Sequence, residues 1–257
     1  MNHDTDATHS GTDAEPRLID HLIELRARLL RAVVGLLVVF LALVPFAAEI
    51  YGALARPLLA SLPAGGQLVA VDPAGGFFVP MKVAFFAALL IAMPWLLYQA
   101  WAFVAPGLYH REKRLAMPLL VSAVLLFYLG CAFAFFLVLP SVFGFLAKFT
   151  PDVVAMTPDI GKYLDFVLVI FLAFGASFEL PVALVILVLL GWVTPQQLRE
   201  SRGYAVVGVF VVAAVITPPD VVSQLMLAIP MCILYELGIV AARWLKPREE
   251  AGQTPTA

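Results

Sequence analysis

The chain has 257 residues, of which 62% are hydrophobic and only 13% are charged, and its formal net charge is −2. A soluble domain carries roughly 25% charged residues, so this chain lacks the charge needed to cover a globule in water. The composition excludes a soluble globular protein and indicates an all-α polytopic membrane protein. Cys131 and Cys232 both lie in apolar stretches, which favours packed or lipid-facing thiols over a disulfide framework or a metal site.

The N-terminal region begins with a polar segment, residues 1–16, which predicts a disordered tail rather than a signal peptide. The helix that follows is amphipathic, because Leu22 and Leu25 lie on one face while Glu24 and Arg28 lie on the other. It continues into an apolar run, so we expect it to lie at the membrane surface before it enters the bilayer. Glu24 at that boundary either forms an i,i+4 ion pair with Arg28 or binds a ligand.

Six apolar stretches predict six transmembrane helices. They cover residues 32–48, 79–103, 115–139, 164–190, 204–216 and 221–242. A hydrocarbon core of about 30 Å needs roughly 20 helical residues. The fifth stretch, only about 20 Å long as a helix, therefore requires local bilayer thinning or shelter within the bundle. Residues 17–245 are the predicted membrane domain, and residues 246–257 are a second tail.

Basic residues are distributed unequally between the two sides of the predicted bundle. Twelve of the sixteen lysines and arginines fall on the side that carries both termini. The positive-inside rule makes this side cytoplasmic, so both termini are expected in the cytoplasm. On the opposite side, two long connections at 49–78 and 141–163 predict a folded cap over one end of the bundle.

Glu179 lies near the middle of the fourth apolar stretch, two residues before Pro181. An ionised carboxylate at that depth costs several kcal/mol, and no basic residue lies in the core of any apolar stretch to pair with it. Pro181 lacks an N–H donor, so we expect it to kink the helix. Glu179 is therefore either a protonated residue hydrogen-bonded to a neighbouring helix or a polar notch that faces a groove or a partner.

Three further polar residues lie within the apolar stretches. Gln99 and Gln224 are intramembrane amides, and their simplest role is a hydrogen bond between helices. Glu236 lies near the inner end of the sixth stretch, within reach of Arg243, where a structural role and a functional role are equally open.

Glu112 lies in a basic connection and would be unremarkable alone. Together with Glu24 it supplies a second carboxylate at the same membrane face. Two carboxylates suit a ligand with two guanidinium groups, because arginine pairs bidentately with each.

Catalytic signatures are absent from the sequence. It contains no phosphate-binding loop, no cluster of histidine and cysteine ligands, and no nucleophile elbow. We therefore expect no enzyme activity, no cofactor, no metal and no nucleic-acid partner. Any work must be driven by an ion gradient or by partner proteins.

Four sequence blocks are distinctive: HLIELR at 21–26, YQAWAFVAPGLY at 98–109, FGASFELP at 174–181 and TPPDVVSQ at 217–224. In this order they resemble the TatC family of twin-arginine protein translocase subunits. The resemblance implies a glove-shaped, six-helix bundle with a concave face and an external loop cap in the bacterial cytoplasmic (inner) membrane. It also implies a receptor and scaffold that binds the twin-arginine signal peptides of folded precursors. With TatA and TatB partners, such a subunit supports transport driven by the proton-motive force.

The resemblance also implies roles for individual residues. Glu24 and Glu112 would hold the two arginines of the signal peptide at the cytoplasmic face, and Phe103 would line that site. Glu179 would be the carboxylate that faces into the concavity. The three basic residues around Glu112 are expected to repel a cationic ligand, so the splay of their side chains decides whether this assignment works.

Partner and cap positions follow from the same resemblance. Thr217, Asp220 and Gln224 fall where single-span TatA and TatB subunits would dock on the fifth and sixth helices, and self-association is also expected. Pro57 and Phe78 match positions of the external cap that support function in the family.

Two other functions compete with a receptor. A proton-coupled secondary transporter would use Glu179 as its coupling site. It would, however, need paired intramembrane charges or broken helices at the midplane, and the halves of the sequence show no repeat. A purely structural membrane subunit would tolerate replacement of all three carboxylates, Glu24, Glu112 and Glu179.

Overall fold

The computed structural model describes residues 14–59, 72, 74–104, 115–149, 159–216 and 221–245. In these ranges the chain is helical apart from short turns, with no β-strand. Five helical segments are long and apolar enough to cross a membrane, and Arg202–Ile216 is a shorter apolar helix. The structure confirms the predicted all-α polytopic membrane fold.

Ten α-helices occupy the described ranges. They are α1 (Ala14–Leu43), α2 (Ala47–Leu59), α3 (Gly75–Val104), α4 (Ala116–Phe133), α5 (Leu139–Phe149), α6 (Ile160–Phe178), α7 (Leu180–Leu189), α8 (Pro195–Glu200), α9 (Arg202–Ile216) and α10 (Val221–Leu245). A 3-10 turn at Val44–Phe46 joins α1 to α2, and a π-helical turn at Ala134–Val138 joins α4 to α5. The last three residues of the predicted N-terminal tail (1–16) are helical, because α1 begins at Ala14. Residues 1–13 and the second predicted tail, 246–257, lie outside the described residues.

The predicted connections at 49–78 and 141–163 are partly helical. Helix α2 runs to Leu59 and α5 runs to Phe149, so both continue the preceding spans. A long-range contact helps to hold α2, because the Tyr163 hydroxyl donates to the Leu54 carbonyl at 3.0 Å. The rest of the predicted cap, at 60–71 and 150–158, lies outside the described residues.

The core of the bundle is centred on α4 and α6. These helices approach closely at Gly130 and Gly175, which pack against Phe174 and Phe127 respectively. Both phenylalanines are fully buried in the larger of two apolar clusters. A second cluster joins α7 and α10 to the C-terminal part of α3 through Trp101.

The fourth span is interrupted at Glu179. Helix α6 ends at Phe178 and α7 begins at Leu180, with Pro181 in its first turn. The break follows from the missing N–H of Pro181, which agrees with the predicted kink. It places the Glu179 backbone at a helix junction within the bundle.

One ion pair of the bundle was not expected from the sequence. The Lys82 ammonium donates to Asp165 Oδ1 at 2.9 Å and links α3 to α6. Each residue lies at the end of an apolar stretch, where a charged side chain is expected to belong to the flanking loop. Only the packing of the two helices reveals the pair.

Candidate functional site

Glu24 lies on the N-terminal, amphipathic part of α1 and pairs with Arg28. Both Nε and Nη2 of Arg28 donate to Glu24 Oε1, at 2.9 and 2.6 Å. The side chains of Arg28 and Glu24 are 19% and 35% exposed. The simple i,i+4 pair that the sequence allowed is therefore formed. It uses a single carboxylate oxygen in the described contacts, so the second oxygen can accept from another donor.

Trp95 on α3 positions the helix that carries Glu24. Its indole Nε1 donates to the Arg31 carbonyl of α1 at 3.1 Å. At Gly35, one turn further on, a Cβ would lie only 2.5 Å from the same nitrogen. The glycine thus permits the close approach, and the indole fixes α1 against α3 about two turns from Glu24. Sequence reasoning missed Trp95, since nothing local marks its partner.

Phe103 is partly buried in the last turn of α3, directly before residues 105–114. Trp101 on the same turn is buried in the second core cluster. This packing makes the end of α3 a rigid support for Phe103. Glu112 lies outside the described residues, so the structure positions Glu24 and Phe103 of the predicted receptor site but not its second carboxylate.

Glu179 is half-buried at the α6–α7 junction. Its Oε1 atom is buried and has no hydrogen-bond partner in the described part of the chain. The predicted alternative of a hydrogen bond to a neighbouring helix therefore gains no support from this oxygen. Ser177 does not supply it, because its hydroxyl donates to the Ala173 carbonyl at 2.5 Å.

The two intramembrane amides differ in their hydrogen bonding. Gln224 Nε2 donates to the Phe210 carbonyl at 3.3 Å, which is the interhelix hydrogen bond expected for it and joins α10 to α9. Gln99 is buried, but its Oε1 has no partner among the described residues. Its side-chain oxygen thus resembles that of Glu179 in being buried without a hydrogen-bond donor.

The remaining predicted residues are only partly described. Thr217 and Asp220 lie outside the described residues, and Pro57 is part of α2 although its side chain is not described. Phe78 is exposed at the start of α3 and lines an apolar groove of about 610 Å³.

Glu236 has a different partner from the one that its position in the sequence suggested. Arg202 Nη2 of α9 donates to Glu236 Oε2 at 2.5 Å, whereas Arg243 is not its ion-pair partner in the described structure. Antiparallel packing of α9 and α10 brings the first residue of α9 beside Glu236, which linear distance along α10 does not indicate.

The family model described as "TatC: Sec-independent protein translocase protein (TatC)" matches residues 20–230. The chain belongs to the TatC family. It is 51% identical over 239 residues to the Sec-independent protein translocase protein TatC of Azotobacter chroococcum mcd 1, covering 93% of this chain and 94% of the relative. It is also 51% identical over 232 residues to TatC of Escherichia coli strain K12, covering 90% of each chain.

Solved structures give the same result. The fold matches the crystal structure of the twin arginine translocase receptor TatC with a TM-score of 0.77 and 38% identity, over 88% of this chain and 99% of that chain. The TatC resemblance seen in the four sequence blocks is confirmed, and with it a multi-pass subunit of the Sec-independent translocase. Its relatives are named for protein translocation, which agrees with a non-enzymatic role.

Proposed function

We propose that this TatC-family chain is the receptor and scaffold subunit that binds twin-arginine signal peptides of folded precursors. The observation that carries the proposal is the Glu24 carboxylate on α1, partly exposed and engaged through one oxygen only. The relative of known structure is described as a twin arginine translocase receptor, which supports the same role here. Both termini lie in the cytoplasm in this proposal, as the distribution of basic residues requires.

The chemistry depends on exchange of one guanidinium for another. An i,i+4 ion pair on a helix surface is worth only about 0.2–0.5 kcal/mol, so Arg28 holds Glu24 weakly. A signal-peptide arginine can approach the same carboxylate and pair with it bidentately, which gives stronger and more directional hydrogen bonds. Glu112 takes the second arginine, and the aromatic ring of Phe103 provides a face for a cation.

The scaffold role rests on α9 and α10. In α9 only Val209 and Ala213 are buried, so most of this apolar helix is open to lipid or to another helix. Partner subunits of the TatA and TatB type dock there in our proposal, close to Gln224 and to Thr217 and Asp220. Transport is driven by the proton-motive force, since the chain carries no nucleotide-binding motif.

A proton-coupled transporter is the second candidate. The broken helix at Glu179 is a feature that such a mechanism uses. The other feature that such a mechanism can use is a paired intramembrane charge, and in the described structure no lysine or arginine forms an ion pair with Glu179. Family membership and this unpaired carboxylate together favour the receptor.

The receptor is tested by titrating a fluorescent twin-arginine peptide onto the purified chain in lipid nanodiscs. Replacing Glu24 by Gln removes one charge-assisted bidentate pair, and the Kd is expected to rise about tenfold or more. Glu200→Gln removes a carboxylate from α8, distant along the chain from the α1 site, and should leave the Kd within about twofold. Equal affinities of wild type and Glu24→Gln would overturn the proposal.

A further inference from the structure

A polar cavity of about 540 Å³ opens between α8, α9 and α10, and the receptor site does not include it. Its lining consists of Gln196, Arg199, Glu200, Arg202 and Arg243. Three of these five side chains carry a guanidinium group. This concentration of positive charge stands out in a chain with so few charged residues.

Local structure holds α8 firmly at one wall of this cavity. Thr194 and Gln197 form a capping box at the start of α8, in which each side chain accepts from the other residue's backbone N–H. The Tyr235 hydroxyl of α10 donates to the Leu198 carbonyl at 2.7 Å. Leu198 is buried in the second core cluster, so the neighbouring Arg199 is presented from a fixed helix.

The charges of the cavity are unevenly neutralised. Arg202 is paired with Glu236, and Glu200 accepts a hydrogen bond from Gln196 at 3.1 Å. Arg199 and Arg243 form no ion pair with any residue that the structure describes. Two guanidinium groups therefore face the cavity without a counter-ion from the described part of the chain, which favours an anionic ligand.

Aromatic side chains mark this end of the bundle as a membrane interface. Trp192, Tyr204 and Trp244 lie within a few residues of the cavity and are 75%, 86% and 84% exposed. Exposed Trp and Tyr side chains of membrane proteins concentrate at the level of the lipid headgroups. The arginines of the cavity therefore lie at the depth where phospholipid phosphates are found.

The short length of α9 also supports placing the cavity at the level of the lipid headgroups. Its 15 residues span roughly 22 Å, which is less than the hydrocarbon thickness of about 30 Å. A helix this short draws headgroups toward its ends. Arg202 is the first residue of α9, so a drawn-in headgroup meets the cavity.

We propose that this cavity binds a phosphate-bearing anion, and that the phosphodiester headgroup of an anionic phospholipid is its source in the membrane. Arginine matches phosphate oxygens bidentately, and basic pockets between membrane helices take such headgroups. The ligand would lie against α8–α10 and brace the short α9. This site is independent of Glu24 and goes beyond the proposed receptor function.

Native mass spectrometry of the purified full-length chain, titrated with phosphatidylglycerol, tests the site. The double variant Arg199→Gln/Arg243→Gln should bind the lipid about tenfold more weakly than wild type. The lipid affinity of the double variant Arg199→Lys/Arg243→Lys should lie between these two, because lysine keeps the positive charge but lacks the planar guanidinium group that pairs bidentately with phosphate. The Lys variant also preserves the test if the Gln variant fails to fold.

A matched control separates the cavity from general charge. Arg26→Gln/Arg31→Gln removes two exposed arginines from α1 and should keep lipid affinity within about twofold of wild type. Zwitterionic phosphatidylethanolamine should bind all variants alike. Equal binding of phosphatidylglycerol by wild type and Arg199→Gln/Arg243→Gln, or an equal loss in the α1 control, would overturn the proposal.

A further arm of the experiment identifies the source of the anion. Inorganic phosphate is added as competitor, and a lipid site predicts that millimolar phosphate displaces little phosphatidylglycerol. Full displacement, with the same dependence on Arg199 and Arg243, would assign the cavity to a soluble phosphate and support the shared phosphate chemistry. Displacement that does not depend on these arginines would contradict the proposal.

Discussion

In the proposed receptor, the Glu24–Arg28 pair is the contact that a signal peptide would displace. In the structure the arginine uses two nitrogens and the carboxylate one oxygen. In this proposal the pair neutralises the negative charge of Glu24 at the membrane boundary when no peptide is bound. Arg28 is therefore expected to compete with the arginines of the signal peptide.

Replacing Arg28 by Gln removes this competitor. The affinity of the peptide should increase about twofold, because the pair is worth a few tenths of a kcal/mol. Arg31→Gln is the matched control, since Arg31 carries the same charge on the same helix without an ion pair to a described carboxylate, and its effect should be smaller. The measurement is the peptide titration in nanodiscs. Weaker binding by Arg28→Gln would mean that Arg28 orients Glu24 instead of competing for it.

Among the helices, the contact of α4 with α6 is set by two glycines. A Cβ at Gly130 would lie 2.6 Å from the Phe174 carbonyl oxygen, and one at Gly175 would lie 2.6 Å from the Phe127 ring. The first neighbour is backbone and cannot rotate away. The two helices therefore cannot keep their separation if Gly130 acquires a side chain.

Gly130→Ala is expected to lower the free energy of unfolding by about 1–3 kcal/mol through overpacking. Gly208→Ala is the matched control, because a Cβ added at Gly208 on α9 would meet no atom within 4 Å. Its change should be neutral or stabilising by up to about 1 kcal/mol from helix propensity. Thermal unfolding in detergent checks both variants. An unchanged midpoint for Gly130→Ala would show that α4 and α6 can separate without cost.

Sequence patterns predicted the elements that depend only on residues close together in the chain. Apolar runs predicted the spans, and Pro181 predicted the break at Glu179. The helical extensions to Leu59 and Phe149 were missed, because proline and glycine content suggested loops. Contacts such as the Tyr163 hydroxyl on the Leu54 carbonyl join distant parts of the chain and leave no local pattern.

At the scale of the whole molecule, sequence motifs indicated individual candidate site residues but not how the helices pack around them. Glu24 and Phe103 were predicted as binding residues from their sequence blocks and stay predictions, whereas the contacts of Trp95 and Trp101 depend on how the helices pack. The Arg202 partner of Glu236 was not predicted, for the same reason. The cavity of Arg199 and Arg243 was not foreseen, since three separate helices create it.

In the proposed receptor, the twin-arginine site lies at the cytoplasmic end of the bundle and Glu49 at the opposite end of the first span. Glu24, Phe103 and Glu112 form one binding surface in this proposal, although they come from different segments of the chain. A photoreactive amino acid at each position reports whether a precursor reaches it. Position 49 is the control, because Glu49 is exposed and predicted to lie outside.

The most direct measurement is site-specific photocrosslinking of a twin-arginine precursor to the intact chain in membranes. We predict adducts from positions 24, 103 and 112 to the region around the paired arginines, strongly reduced when both are changed to lysine, and none from position 49. Adducts from position 49 as strong as those from position 24, or adducts from position 24 that ignore the paired arginines, would contradict the account.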